Sequence, residues 1–377
     1  MNCTLCKNWK ISAQVLRSYT TQMKSLQINK YAPSVDLLNY QLSSPSITNH
    51  FLKPDEALVK VHAASINPFD IEMSRGYGRK AINLVRSYAN SKEFPLILGR
   101  DFSGVVVKSG RLFKRFKRGD PVYGVRWVTG QGTHAEYVIV NKSEISPKPV
   151  NLTHIEAASL PYVACTTWSA LMDSGAVSIM GSRKLNIFIP GGTGGIGSFA
   201  VQLCKAYGHN VTTACAPNGV SILNNIDIYN VLDYTSNTYE NDLQNNGPYD
   251  VILDTQNERY VNLYKKVLKE SSKSKYVSLR PTLLPDTDSK GMTLGLIDAG
   301  GKYAKSSIEQ LSSGKGQYQW GFFKPNGMVL DHIKPLIENG NIKTLVDKVF
   351  PLDDIVNAYK YVEKGHARGK TVIGMVS

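Results

Sequence analysis

Nowhere in the 377 residues does an uninterrupted apolar run approach the roughly 18 residues a membrane-spanning helix needs, so any membrane contact is expected to be peripheral. Acidic residues are in deficit: 30 Asp and Glu stand against 44 Lys and Arg, a formal charge of +14. That balance favours anionic ligands such as nucleotide phosphates, nucleic acid or anionic lipid without choosing among them. Cysteine is sparse and odd in number, Cys3, Cys6, Cys165, Cys204 and Cys215, which argues against a disulfide framework and for a reducing compartment. No second Cys or His cluster completes a zinc site with Cys3 and Cys6. Repeats and low-complexity tracts are absent too, and a 42% apolar content over this length suffices for two packed domains.

Between Met1 and Val35 there is no acid at all, while Lys7, Lys10, Arg17, Lys24 and Lys30 are spread among Ser, Thr and apolar positions. This is the composition of a mitochondrial transit peptide. We assign it to residues 1–22, with cleavage expected after Tyr19 in Arg17-Ser-Tyr-Thr20. The six bases between Lys108 and Arg118 lead into a Gly119-Asp120 turn with no regularly spaced aromatic platforms; they read as a solvated loop, and no nucleic-acid partner is expected.

Two rhythms divide the rest. Up to about Val150 short extended runs alternate with turns, namely Glu56 to His62, Gly104 to Lys108, Pro121 to Gly124 and His134 to Val140, as in a partly open β-barrel. From Leu185 strands alternate with helix-length segments: Leu185 to Ile189, Val211 to Cys215, Val231 to Asp233, Val251 to Leu253 and Tyr276 to Leu279. That alternation predicts βαβ units on a parallel sheet. A helix ending near Gly340, another from Asp354 to Gly365 and a strand from Thr371 to Val376 close the chain.

The first of these strands runs into Gly191-Gly-Thr-Gly-Gly-Ile-Gly197, where Gly192, Gly194 and Gly197 fit G-x-G-x-x-G. Ile196, Phe199, Ala200, Leu203, Cys204 and Tyr207 follow at helical spacing. A glycine turn between strand and helix lets a pyrophosphate reach the positive helix N-terminus, so a dinucleotide is expected there. The second strand ends in Ala214-Cys-Ala216-Pro-Asn218, with no acid before Asp227. Without a carboxylate to hold a ribose 2′-hydroxyl and repel a 2′-phosphate, NADPH is the expected cofactor. Arg368 and Lys370 are the candidate bases for that phosphate.

Several stretches are similar to the zinc-free quinone-oxidoreductase-like branch of the medium-chain dehydrogenase/reductase superfamily: Asn67-Pro-Phe-Asp70, Gly99-Arg-Asp-Phe-Ser-Gly104, Ala157-Ala-Ser-Leu-Pro161, Thr166-Thr-Trp168, the glycine loop, Val231-Leu-Asp-Tyr234 and Gly365-His-Ala-Arg-Gly-Lys370. The resemblance implies an α/β protein with a GroES-like β-barrel catalytic domain (23–160), a Rossmann domain with a doubly wound parallel sheet (161–344) and a C-terminal return to the catalytic domain (345–377). It places Thr166, Thr193, Gly195, Ile196, Gly197, Ala216, Tyr234, Leu279, Phe322, Phe323, His366, Ala367 and Arg368 around the cofactor. Asn67 and Asp70 fall at the mouth of the acceptor site, as orienting rather than proton-transferring groups. Where zinc-dependent relatives carry a metal ligand this chain reads Gly99-Arg100-Asp101, so no metal is expected.

Reduction of a quinone or enone is the implied chemistry, in mitochondria, in the matrix or against the outer membrane. Ubiquinone-synthesis proteins or a reticulon are the implied protein partners, and a homodimer is possible within this branch. An NADPH-binding scaffold with little turnover is the alternative. Gln256 after Asp254, and Arg280-Pro281 after the fifth strand, depart from the branch. The stretch from Pro281 to Tyr318 is expected to be an excursion over the site or at a dimer edge.

Overall fold

Ala57-Leu-Val-Lys-Val61 is an almost unbroken apolar run, the pattern of a strand covered on both faces. In the computed structural model it forms Glu56–Ile66, the longest strand and the middle of a seven-stranded sheet. The structure describes residues 22–47, 51–88, 91–178, 183–256, 260–365 and 367–375. The expected transit segment thus lies, but for Gln22, outside the described residues. Asp101–Ser109, Pro121–Val125 and Ile145–Pro147 extend the sheet antiparallel on one side, and Tyr137–Asn141 pairs with the start of Glu56–Ile66. On the other side Lys370–Gly374 runs antiparallel, setting Thr371 opposite Ile66, with Val346–Pro351 parallel beside it. The C-terminal end of the chain therefore completes the barrel. Val59, Val61, Phe102, Val122 and Val138 fill its interior. The six bases of Lys108 to Arg118 are exposed, Lys108 at the end of Asp101–Ser109 and the other five on the loop that follows, which buried Phe113 and Phe116 pin.

The second sheet is wholly parallel, in the order Val231–Asp233, Asn210–Cys215, Asn186–Pro190, Val251–Asp254, Lys275–Ser278, Gln317–Trp320. This is the doubly wound Rossmann order, in which the direction of winding reverses beside the first strand and leaves a crevice at the strands' C-terminal ends. Ile187, Ile189 and Leu253 pack against Ala200, Val201 and Cys204 of the helix Gly195–Ala206. Cys165, Cys204 and Cys215 are free and buried, and burial pushes the Cys165 and Cys204 thiols up to about 12. They are packing residues.

The excursion after Pro281 is helical: Leu283–Lys290 leads into Met292–Ser312. The Asp288 carboxylate accepts hydrogen bonds from the Gly78 and Lys80 amides at 2.5 and 3.0 Å. It thereby satisfies orphan N–H groups at the start of the helix Arg79–Tyr88 in the barrel domain. One carboxylate from the Rossmann domain thus fastens a helix of its neighbour.

Candidate active site

Asn186–Pro190 delivers the chain to the glycine loop, and the helix Gly195–Ala206 leaves it with Gly194 as N-cap. A Cβ on Gly197 would stand 2.2 Å from the Gly191 carbonyl oxygen, so only glycine allows the turn to close on itself. Positive φ is confined to Gly191 in this loop, at +77°. Gly195 lies in the first helical turn, where a Cβ would press on Lys370 Cδ at 2.9 Å and Val163 Cγ1 at 3.2 Å. The first-turn amides open on a narrow cavity of about 210 Å³ bounded by Gly194, Gly195, Ile196, Gly197, Ala367 and Asn67. A backbone bridge between Gly194 and Gly369 closes it from the barrel side. Such a cleft suits an anionic diphosphate in its charge, its backbone donors and its lack of Cβ atoms.

The other expected cofactor residues fall into three groups. Thr166, Ile196, Leu279, Phe322 and Phe323 line a larger cavity next to the narrow one, which Ile196 and Tyr162 also bound. The buried Thr166 Oγ1 has no hydrogen-bond partner there, a donor that a bound polar group would satisfy. Thr193, Ala216 and Arg368 gather at the end of Asn210–Cys215: Thr193 packs on Gly219, Ala216 N-caps the turn Pro217–Gly219, and Arg368 Nη1 donates to the Asn218 carbonyl at 2.8 Å. Tyr234 sits one residue beyond Val231–Asp233 and is exposed. His366 lies outside the described residues.

Two expectations need correction. Lys370 is not free for a 2′-phosphate. Its ammonium is buried, donating to Asn67 Oδ1, to the Ile66 carbonyl at 3.2 Å and to Asp101 Oδ2 at 3.2 Å. Three acceptors saturate its three N–H bonds. Asp70 does not reach the mouth either: it is fully buried beneath the cleft, where it accepts the Asn67 amide at 2.8 Å in the capping box of Pro68–Ser74. Burial pushes its carboxyl up to about 6, against the pull of the Arg100 guanidinium 3.9 Å away. Asn67 remains at the cleft wall, its amide fixed by Asp101 at 3.0 Å and by Lys370. Asp101 also accepts from Ser65 at 2.6 Å and from the Tyr162 amide at 2.6 Å.

The larger cavity holds about 610 Å³ and is walled by Phe69, Tyr77, Trp127, Tyr162, Leu279 and Phe323, with no Asp, Glu, Lys, Arg or His among its described lining residues. Tyr162 is stacked between Phe323, 4.4 Å away, and Phe69, 6.2 Å away. Ile82 and Val85 come from Arg79–Tyr88, and Leu284 comes from the helix that fastens it. Val128 and Thr129 sit on a loop gripped by two buried arginines: Arg86 donates to the Thr129 and Val128 carbonyls at 3.1 and 3.2 Å, and Arg100 donates to the Trp127 carbonyl at 2.6 Å. The excursion after Pro281 was expected over the site or at a dimer edge, and its Pro281 and Leu284 do line the cavity; sequence reasoning missed the helix Arg79–Tyr88 beside it, the two arginines and the role of Asp101. Arg100 and Asp101 stand inside Gly99-Arg-Asp-Phe-Ser-Gly104, and that stretch is the signal the sequence carries for them.

Residues 53–150 match a family described as alcohol dehydrogenase GroES-like domain, and residues 227–373 match one described as zinc-binding dehydrogenase. The chain is 36% identical to "NAD(P)H oxidoreductase RTN4IP1, mitochondrial" of Danio rerio over 99% of its length and 98% of the relative's. It is 35% identical to "Reticulon-4-interacting protein 1, mitochondrial" of Caenorhabditis elegans, covering 85% of this chain and 88% of that one. It is 30% identical to "2-methylene-furan-3-one reductase" of Solanum lycopersicum, covering 94% and 80%. Among solved structures, the quinone oxidoreductase from Coxiella burnetii superposes with a TM-score of 0.73 at 24% identity, over 94% of this chain and all of that one. The word zinc in the family description finds no matching donor set here. Among the described residues no three His, Cys, Asp or Glu side chains converge, and the carboxylates of Asp70 and Asp101 already face the cations Arg100 and Lys370.

Proposed function

The chain belongs to the medium-chain dehydrogenase/reductase superfamily, and from that premise we propose that it is an NADPH-dependent reductase of a quinone or an activated C=C bond. One observation carries the reading: a 610 Å³ aromatic cavity without formally charged walls adjoins a glycine-loop cleft, with Ile196 and Tyr162 bounding both. Quinones and enones are already electrophilic, so a hydride can reach them without Lewis-acid help once the two partners are held close and aligned. The bound cofactor would supply that hydride.

The chain's own residues would do the rest. Gly194 to Gly197 and the first helical turn hold the diphosphate. Arg368, beside the end of the second strand, is the base for the 2′-phosphate. Thr166 Oγ1 offers a hydrogen bond in the wall of the larger cavity. Phe323, Leu279 and Tyr162 exclude water and press flat rings together. Asn67 orients, held by Asp101 and Lys370. Asp70 acts at one remove, through Arg100 and the Trp127 loop. With NADPH and one solvent proton as inputs, a quinone leaves as its hydroquinone. The mouth carries Val85, Trp127 and Phe322, each two-fifths or more exposed, which favours a lipophilic acceptor.

The compartment proposed is mitochondrial, on the acid-free N-terminal composition together with the relatives' names, and the matrix is where such chemistry would serve ubiquinone synthesis. A reticulon remains a proposed partner by relatedness alone. The test is anaerobic mixing of protein and NADPH with a panel of short-chain quinones and enones. NADPH should be oxidised in proportion to the acceptor reduced. Tight NADPH binding with no oxidation by any acceptor would instead support the scaffold reading.

A further inference from the structure

The loop that closes the far end of the barrel has no part in the site. Ser109 stands roughly 26 Å along its strand from Asp101, at ~3.3 Å per residue, and none of residues 51–56 or 108–118 borders either cavity of the site. Phe113 and Phe116 turn inward, their rings 5.6 Å apart, and plug the barrel. Their neighbours Arg111, Leu112, Lys114, Arg115, Lys117 and Arg118 are all exposed. Three other segments lie against this loop. The Pro54 carbonyl accepts the Leu112 amide at 2.7 Å, which brings Phe51 and Lys53 alongside. The Lys142 amide donates to the Asp55 carbonyl at 3.2 Å. Arg115 is clasped by Asp331, one helical turn from Met328 in Gly327–Glu338.

Two properties coincide on this surface. Its apolar residues are large and bare: Phe51, Leu112 and Met328 are 95%, 54% and 75% exposed. Its charge is of one sign. Among the described residues Arg115 alone of the six bases is in an ion pair, and the Lys142 ammonium has none. The nearby carboxylates are turned onto N–H donors: Asp120 accepts the Lys117 amide at 2.7 Å, Glu56 the Lys53 amide at 2.9 Å and Asp55 the Asn141 side-chain amide at 2.6 Å. Uncompensated cations around bare apolar side chains match an anionic membrane surface, whose headgroups meet the charges while the apolar tips enter the acyl boundary. Nucleic acid fits less well, because Leu112 and Met328 have no face on which a base stacks. We propose that this end of the barrel docks the protein on an anionic phospholipid bilayer. Trp127, at the mouth of the larger cavity, follows Val125, which pairs with Asp101 at the opposite end of the barrel. The docked protein therefore keeps that mouth in solvent.

The full chain should co-sediment with vesicles of phosphatidylcholine containing one-third phosphatidylglycerol and not with phosphatidylcholine alone, and added salt should weaken the binding. Each cation at such a surface is worth about fivefold in partitioning, so Arg111→Gln/Lys114→Gln should weaken binding roughly 25-fold. Phe51→Ser/Leu112→Ser removes two apolar tips and should weaken it about tenfold. All four positions are exposed, so both variants should keep the wild-type thermal transition. The basic N-terminal segment is itself a candidate for vesicle contact, and a local probe separates the two. With Cys3 and Cys6 replaced by Ser, the remaining cysteines are buried. A bimane on Leu112→Cys should then shift to the blue when vesicles are added, whereas the same label on Tyr229→Cys, exposed on the Rossmann domain, should not. Wild type that ignores anionic vesicles, variants that bind as wild type does, or a silent label at Leu112 would each overturn the proposal. So would binding to a single-stranded oligonucleotide, lost in Arg111→Gln/Lys114→Gln, by a protein that leaves vesicles alone. That result would assign the cations to nucleic acid.

Discussion

At the residue scale the buried charges decide most. Lys370 and Asp101 lie 3.2 Å apart with both side chains almost wholly out of water. Removing one member of such a pair strands the other in low dielectric, at a cost of about 3–5 kcal/mol. Lys370→Met should therefore lower the free energy of unfolding by that amount in urea, while an exposed control such as Lys305→Met changes it by less than about 0.5 kcal/mol. His134 gives the pH dependence. Its ring is fully buried between Tyr359 Oη, 2.9 Å away, and the Ser65 carbonyl, and burial lowers its pKa from 6.5 to about 3. Below pH 6.5 the unfolded chain takes a proton that the native state refuses, so this contribution is complete above 6.5 and is lost as pH falls. Asp70, raised from 3.8 to about 6, runs the other way, because the native state binds its proton first as pH drops. Comparing wild type with His134→Gln isolates the histidine. The stability gap should narrow by about 2 kcal/mol between pH 6.5 and 5, and a gap that does not move with pH would refute the assignment. None of this was legible in the sequence, where Arg100, Lys370 and His134 look like residues for the surface; Lys370 and His134 are buried by pairing with Asp101 and Tyr359, each more than 200 residues away, and Arg100 by Asp70 and the Trp127 carbonyl on other elements of the barrel.

At the element scale the sequence spoke more clearly. Near-continuous apolar runs at Ile187 to Ile189 and Val251 to Leu253, and the glycines between strand and helix, could be read because each signal is local. Observed strands differ from expectation by a few residues at their ends, as with Glu56–Ile66, where pairing with Lys370–Gly374 carries the strand past His62. The roof of the acceptor cavity was hidden for the opposite reason. Arg79–Tyr88 and Leu283–Lys290 are short, polar on one side and joined by Asp288 and by the packing of Leu284 beside Gly78 and Ile82, contacts of no sequence locality. Asp288→Ala removes a cap and should cost about 1 kcal/mol of stability. If the helix pair roofs the site, the same variant should speed amide exchange over residues 79–83 and raise KM for a bulky quinone several-fold, with kcat changed little. Unchanged KM with faster exchange would leave Asp288 a structural cap only.

At the scale of the whole molecule, the two domains share one ligand cleft, with Gly194 to Gly197 on one wall and Asn67 and Ala367 on the other. A cofactor bound there holds both walls, so its binding energy should appear in the stability of the entire fold. A ligand at 100 times its Kd stabilises the native state by about 2.7 kcal/mol. NADH, if it binds tenfold more weakly, gives about 1.4 kcal/mol at the same concentration. The difference should be visible as a higher transition temperature in NADPH than in NADH, read by calorimetry without any acceptor present. Gly195→Val sets its side chain against Lys370 and Val163 and should abolish both shifts while the far-ultraviolet circular dichroism stays native. Arg368→Ala is the sharper variant, because the guanidinium rests on the Asn218 carbonyl beside the end of the second strand, where no carboxylate precedes Asp227. It should bring the NADPH shift down to that of NADH and leave the NADH shift where it was. Equal shifts in wild type would instead mean that the missing acid is not matched by a base, and that the protein does not discriminate between the two cofactors.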